Sequence, residues 1–183
     1  MFWDREIEAL PRPELEALQL ARLLRTVRRV GEHVPFYQAR FREMGLDPAS
    51  VRTLADVRRL PFTTNADLRA SYPDGLVVKG PEQVVRLHTS SGTTGKPKAL
   101  FFSRKDVDEA AELIARCLVM AGASQHDVLQ NMMTYGLFTG ALVMHYGAEK
   151  VGMLVIPAGP GNSERQLMLM QDFGSTVIHT TPS

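Results

Sequence analysis

A single cysteine, Cys117, stands in 183 residues, so no internal disulfide is available. A lone thiol of this kind suits a reducing compartment. An excess of charge is also missing: 21 Lys and Arg balance 20 Asp and Glu, for a net charge of +1. No strong field therefore draws the chain to nucleic acid or to an anionic membrane. No uninterrupted apolar run approaches the roughly 20 residues that span a bilayer. The N-terminus turns charged at Asp4, Arg5 and Glu6, without the apolar stretch of a secretory signal. Internal repeats, low-complexity tracts and Cys/His clusters at metal-site spacing are missing too. These absences leave a cytoplasmic globular protein. Its 44% hydrophobic and 22% charged residues are ordinary for that class.

Two compositions meet near Gly80-Pro81. Before that point the chain reads as helices separated by prolines. Pro13 opens a helix in which Leu20, Leu23, Leu24 and Val27 form one apolar stripe. Arg22, Arg25, Arg28 and Arg29 in the same helix read as a solvated face rather than a nucleic-acid patch, because the chain is nearly neutral. Pro35 ends it. Shorter helices follow over Phe36 to Met44 and after the capping patterns Thr53-x-x-Asp56 and Thr64-x-x-Asp67.

After Pro81, strands alternate with helices. Val84 to Thr89 is a strand with Val85 and Leu87 on one face and Arg86 and His88 on the other. Ala99 to Phe102 is a second. Ser103 caps a helix along Val107, Ala110, Ala111, Ile114 and Leu118, ended by Gly122, with Cys117 read as a small buried hydrophobe. Val128 to Met133 is a strand and Phe138 to Val151 a helix. Met153 to Ile156 is a buried strand. Ser163-x-x-Gln166 caps a helix to Phe173, and Thr176 to Thr180 is the last strand. The alternation predicts an α/β fold: an N-terminal helical segment, residues 1–80, then part of a largely parallel sheet over residues 81–183.

The chemistry concentrates between the first two strands, in Thr89-Ser90-Ser91-Gly92-Thr93-Thr94-Gly95-Lys96-Pro97-Lys98. Glycines allow a sharp turn against a bulky anion, and successive N–H groups in such a turn form an anion nest. Four hydroxyls and two lysines add donors and positive charge. The Walker A loop is excluded. It needs four residues between its glycines and Lys-Ser or Lys-Thr after them, whereas only Thr93 and Thr94 separate Gly92 from Gly95, and Pro97 follows Lys96. The dinucleotide fingerprint Gly-x-Gly-x-x-Gly is absent as well. Composition alone leaves two readings open, a phosphate cradle and a ligand-free Ser/Thr/Gly turn.

The run Ser90 to Lys98 resembles the signature loop of the adenylate-forming superfamily. Its flanks resemble the phenylacetate–CoA ligase family within it: Pro61-Phe62-Thr63-Thr64, Asp67-Leu68-Arg69, Tyr72-Pro73, Val84-Val85-Arg86-Leu87-His88, Tyr135-Gly136-Leu137-Phe138-Thr139-Gly140, His145-Tyr146-Gly147-Ala148-Glu149 and Thr180-Thr181-Pro182-Ser183. The resemblance runs from about Pro35 to the last residue and covers the N-terminal portion of that family. It implies a two-step reaction in which ATP and an aryl acid give an acyl-adenylate and pyrophosphate, and the thiol of coenzyme A then displaces AMP. It assigns Ser90, Ser91, Gly92, Thr93, Thr94, Gly95 and Lys96 to the ATP phosphates, with Thr93 or Thr94 helping to place Mg²⁺. It assigns Tyr135, Gly136, Phe138, Thr139 and Gly140 to the acyl pocket, aromatic walls over a glycine floor; the plainer reading of these aromatics is core packing.

Met132-Met133-Thr134 departs from the family pattern ahead of Tyr135 and bears on acid specificity. Lys98 matches the wider superfamily rather than the family. His88 and His145 are candidates to touch substrate, against plainer roles as packed or surface groups. The resemblance also implies a homodimer. It further implies an adenine motif, a ribose-binding aspartate, a hinge and a C-terminal domain with the catalytic lysine, all beyond Ser183. The expectation is a chain that does not complete adenylation by itself. The alternatives are a ligase for another aryl or cofactor acid and a truncated, non-catalytic binding or assembly module.

Overall fold

A computed structural model describes residues 1–78, 84–90 and 97–181. Ser91, Gly92, Thr93, Thr94, Gly95 and Lys96 of the loop lie outside the described residues, as do Gly80-Pro81 and Pro182-Ser183. The rest groups into two compact units, one within Met1–Glu8, Val84–Ser91 and Leu100–Ser183, the other within Ala9–Gln83 and Gly92–Ala99. Among the described residues, no helix is long and apolar enough to cross a membrane.

In the second unit, α2 (Arg12–His33) carries Pro13 in its first turn, where a missing N–H costs nothing. It ends one residue before Pro35, which opens α3 (Pro35–Glu43). The stripe of Leu23, Leu24 and Val27 packs on Phe41, Leu46 and Val51, and the four arginines face solvent as expected. Thr53 and Asp56 do form a capping box, but the six residues Leu54–Arg59 make a 3₁₀ turn rather than an α-helix. Pro61 disfavours the helical region for Leu60, and the segment stops at Arg59. Thr64 and Asp67 cap α4 (Asn65–Ala70), and Arg40 adds a 2.9 Å ion pair to Asp67.

The first unit holds α1 (Arg5–Glu8) and a two-stranded sheet of β1 (Val84–Thr89) and β2 (Ala99–Ser103). Ser103 and Asp106 then cap α5 (Arg104–Met120). After β3 (Val128–Asn131) come α6 (Thr139–Val151), β4 (Leu154–Ile156), α7 (Ser163–Phe173) and β5 (Val177–His179). The strand order is β4-β3-β5, and both pairings are parallel, with Leu129 opposite Val155 and Val177. Those three residues pack with Leu118, Ala148 and Met153 on the α5 and α6 side. On the other face, Gln130 reaches α7.

Three expectations need correction. Cys117 is exposed; it stands two residues, or about 200° of helix, past the buried Ala115. The cap of α7 is Asn162, whose side chain accepts from the Arg165 N–H at 3.1 Å, because Gln166 turns inward instead of back to Ser163. Leu154 is 55% exposed, since β4 is an edge strand and this residue alternates away from the α5–α6 side.

Candidate functional site

The three parallel strands end at one side of the sheet, and a cavity of about 510 Å³ lies there. Carboxyl ends of strands are where open α/β sheets place ligands. Met132, Met133 and Thr134 line it from behind β3, Pro160 from behind β4, and Thr181 from behind β5. Leu137 and Phe138, just ahead of α6, form a further wall, and Thr89 and Ser90 bring in the end of β1. Met132, Met133, Leu137, Phe138 and Pro160 make an apolar surface. Thr89, Ser90, Thr134 and Thr181 complete the lining. The end of β1 and the Leu137–Phe138 segment therefore share one cavity.

Buried amides hold the cavity's outline. Gln130 and Gln166 are 0% and 3% exposed. The Gln130 Nε2 donates to Gln166 Oε1 at 2.6 Å, and Ser175 donates to Gln130 Oε1 at 2.8 Å. Gln166 Nε2 in turn donates to the carbonyls of Gly159 and Gly161 at 2.7 and 3.1 Å, shaping the loop that carries Pro160. The Gly159 N–H closes on the Asn131 carbonyl at 3.1 Å. Every buried amide here has a partner, as a low-dielectric site requires.

Asn131, also 0% exposed, organises the opposite wall. Its Nδ2 donates to the Ala141 carbonyl at 2.8 Å, and its Oδ1 accepts from the Met133 N–H at 3.3 Å. One partner can only accept and the other only donate, so the amide orientation is fixed. Consequently the His179 Nδ1, 3.0 Å from the same Oδ1, is protonated and donates. Burial pushes the His179 pKa below its ordinary value.

The structure turns Tyr135 away from the cavity lining and onto α6. Its hydroxyl lies 3.1 Å from His145 Nδ1, and His145 Nε2 lies 3.1 Å from Glu149 Oε1. Tyr135, His145 and Glu149 thus form one hydrogen-bonded chain along α6. Burial raises the Tyr135 pKa, so the phenol stays a donor. Gly136 has φ +141°, and an added Cβ would meet nothing within 4 Å. This positive backbone angle is one that glycine adopts readily and L side chains rarely do. Gly140 is different: its Cβ would stand 3.3 Å from Phe138 Cε1, so it sets where that ring lies. Thr139 begins α6, with Phe138 as the preceding residue.

His88 is buried behind the wall, with Nδ1 3.1 Å from the Leu137 carbonyl. Lys98 donates to Asn65 Oδ1 at 3.1 Å, at the start of α4. Among the described residues, no three His, Cys, Asp or Glu side chains are grouped to hold a metal. Gln130, Asn131, Gln166 and His179 carry no sequence signal for these roles. The pairs that join them, Gln130 with Gln166 and Asn131 with His179, lie 36 and 48 residues apart along the chain.

No family model matches the chain. Curated proteins do. A phenylacetate–coenzyme A ligase from Thermus thermophilus is 49% identical over all 183 residues, which is 41% of its own length. One from Escherichia coli is 45% identical over 97% of the chain and 40% of its own length, and one from Aromatoleum evansii is 44% identical with the same coverage. The chain thus spans about two-fifths of the relatives it matches. Among solved structures, a 2-hydroxyisobutyryl-CoA ligase in an open conformation, in complex with 2-HIB-AMP and CoA, superposes with a TM-score of 0.89 at 26% identity, covering 99% of the chain and 44% of that protein. The same ligase in its thioesterification state gives 0.91 at 27% identity, covering 99% of the chain and 40% of that protein.

Proposed function

Since the chain is homologous along its whole length to two-fifths of the phenylacetate–coenzyme A ligases, we propose that it carries the phosphate- and acid-binding part of an aryl acid–coenzyme A ligase acting on phenylacetate. The observation that carries this reading is the shared cavity: an apolar chamber at the strand ends that meets the threshold of the phosphate loop at Thr89 and Ser90. An aryl acid fits such a chamber ring-first. Its ring lies against Phe138, Leu137 and Met133, and its carboxylate is left toward the hydroxyls. Tyr135, Gly136, Thr139 and Gly140 shape the wall on which Phe138 stands.

Ser90, Ser91, Gly92, Thr93, Thr94, Gly95 and Lys96 hold the ATP phosphates. The acid carboxylate attacks the α-phosphate, the bond to pyrophosphate breaks, and the acyl-adenylate forms. The coenzyme A thiol then attacks the acyl carbon and AMP leaves. The chain's contribution is to position the two reactants and to offset phosphate charge. Mg²⁺ accompanies the triphosphate; a hydroxyl from Thr93 or Thr94 beside phosphate oxygens is a donor set this cation accepts. Cytoplasmic location and a homodimer belong to the same reading. Met132 and Met133 favour a second reading, a differently shaped aryl acid, because methionine adapts to irregular ligands.

Calorimetric titration of the chain with ATP–Mg²⁺ and, separately, with phenylacetate tests the proposal. Lys96→Ala removes a charge-assisted contact and weakens ATP binding by roughly 10- to 100-fold, leaving phenylacetate unchanged. Phe138→Ala weakens phenylacetate and leaves ATP unchanged. If neither ligand binds, or if both variants bind like the wild type, the reading is wrong.

A further inference from the structure

The wall formed by Leu137 and Phe138 has little burial of its own: the two side chains are 60% and 52% exposed. Packing therefore does not hold it, and hydrogen bonds must. The Leu137 carbonyl accepts from two donors, the Thr89 N–H at 2.9 Å and His88 Nδ1 at 3.1 Å. A carbonyl only accepts, so the His88 proton sits on Nδ1, and the oxygen's two lone pairs are both used. The His88 ring is 1% exposed and packs edge-on against Phe102 with centroids 5.3 Å apart. It has no surface to offer a substrate.

The other ring nitrogen, Nε2, is buried with no hydrogen-bond partner among the described residues. An unsatisfied buried polar atom is costly, and an aliphatic side chain of similar size would avoid it. What such a side chain lacks is the donor to Leu137. The position also inverts the usual strand pattern, because Val85 and Leu87 on the opposite face are 46% and 44% exposed while the histidine is inside.

We propose that His88 is a positioning residue. By donating to Leu137 it pins the Leu137–Phe138 wall of the cavity to the end of β1, and so fixes the wall against which the acid lies. That the wall receives an aryl acid rests on the ligase reading; the clamp itself rests on the geometry of His88, Thr89 and Leu137.

The test compares the wild-type chain with His88→Leu, which fills the space without a donor, and His88→Asn, whose Nδ2 takes the place of Nδ1. His88→Gln, whose amide nitrogen reaches only the Nε2 position, replaces the leucine variant if that one does not fold. Losing one hydrogen bond speeds hydrogen exchange at the Thr89 amide and weakens phenylacetate binding, each by roughly three- to tenfold, and His88→Asn restores both to within about twofold. Nitrogen-15 spectra of the wild type show Nδ1 protonated and Nε2 bare. The proposal is overturned if Nε2 carries the proton, if the donor-free variant matches the wild type in exchange, or if the asparagine behaves like the leucine. A wild-type chain that does not bind phenylacetate removes the ligase reading, and Thr89 exchange still decides the clamp. A donor-free variant that binds phenylacetate as the wild type does overturns the positioning role.

Discussion

The two amide atoms of Asn131 face opposite partners, and this settles the proton on His179 as well as the path of the chain at Met133. Burial makes the half-buried His179 imidazole resist protonation. Its lowered pKa means that just below the ordinary histidine value the unfolded chain binds a proton that the folded chain does not. The stability it contributes is thus complete above pH 6.5 and lost as pH falls toward the folded value. His179→Asn keeps a donor at the Nδ1 position and removes the titration. We expect urea midpoints of the wild type to decline between about pH 7 and about pH 5, and those of the variant to decline less. An unchanged slope would show that His179 is not the group responsible. None of this is legible in the sequence. A buried polar side chain in a strand leaves no local pattern, and its partner can be any residue the fold later brings near. By contrast, the capping pairs Thr64–Asp67 and Ser103–Asp106 are legible because both partners lie within one turn.

At the scale of elements, α5 and α6 pack closely at Gly147. A Cβ there would collide with the side chain of Ile114, so glycine lets the two helices approach. Gly147→Ala overpacks this contact and should cost about 1–3 kcal/mol, read as a lower urea midpoint with an unchanged m-value. A variant as stable as the wild type would mean that the helices can separate without loss. In the sequence this glycine belongs to a family segment with no visible purpose, because helix–helix distance is not encoded in periodicity. Periodicity does give the helices and their order. It misjudges Leu54–Arg59, where a capping box announces a helix that Pro61 cuts short, and it extends β3 and β5 past the residues that pair. Gly136 is legible as a candidate site residue, but its positive backbone angle is visible only in the structure.

At the scale of the molecule, the cavity draws on segments around residues 89, 133, 138, 160 and 181. The loop and the Tyr135–Gly140 segment are visible in the sequence as separate motifs. The end of β1 meets the second of them through the Thr89 N–H on the Leu137 carbonyl, while Pro160 and Thr181 enter only because the parallel strands end on one side. The central claim is that this chamber receives an aryl acid. The chain has nine methionines, two of them in the lining, so methyl-labelled methionine reports on the site directly. On titration with phenylacetate, the methyl signals of Met132 and Met133 should shift saturably, with that of Met120, which is outside the lining, unmoved. A shift at Met120 instead, or no saturable shift at all, would contradict the account.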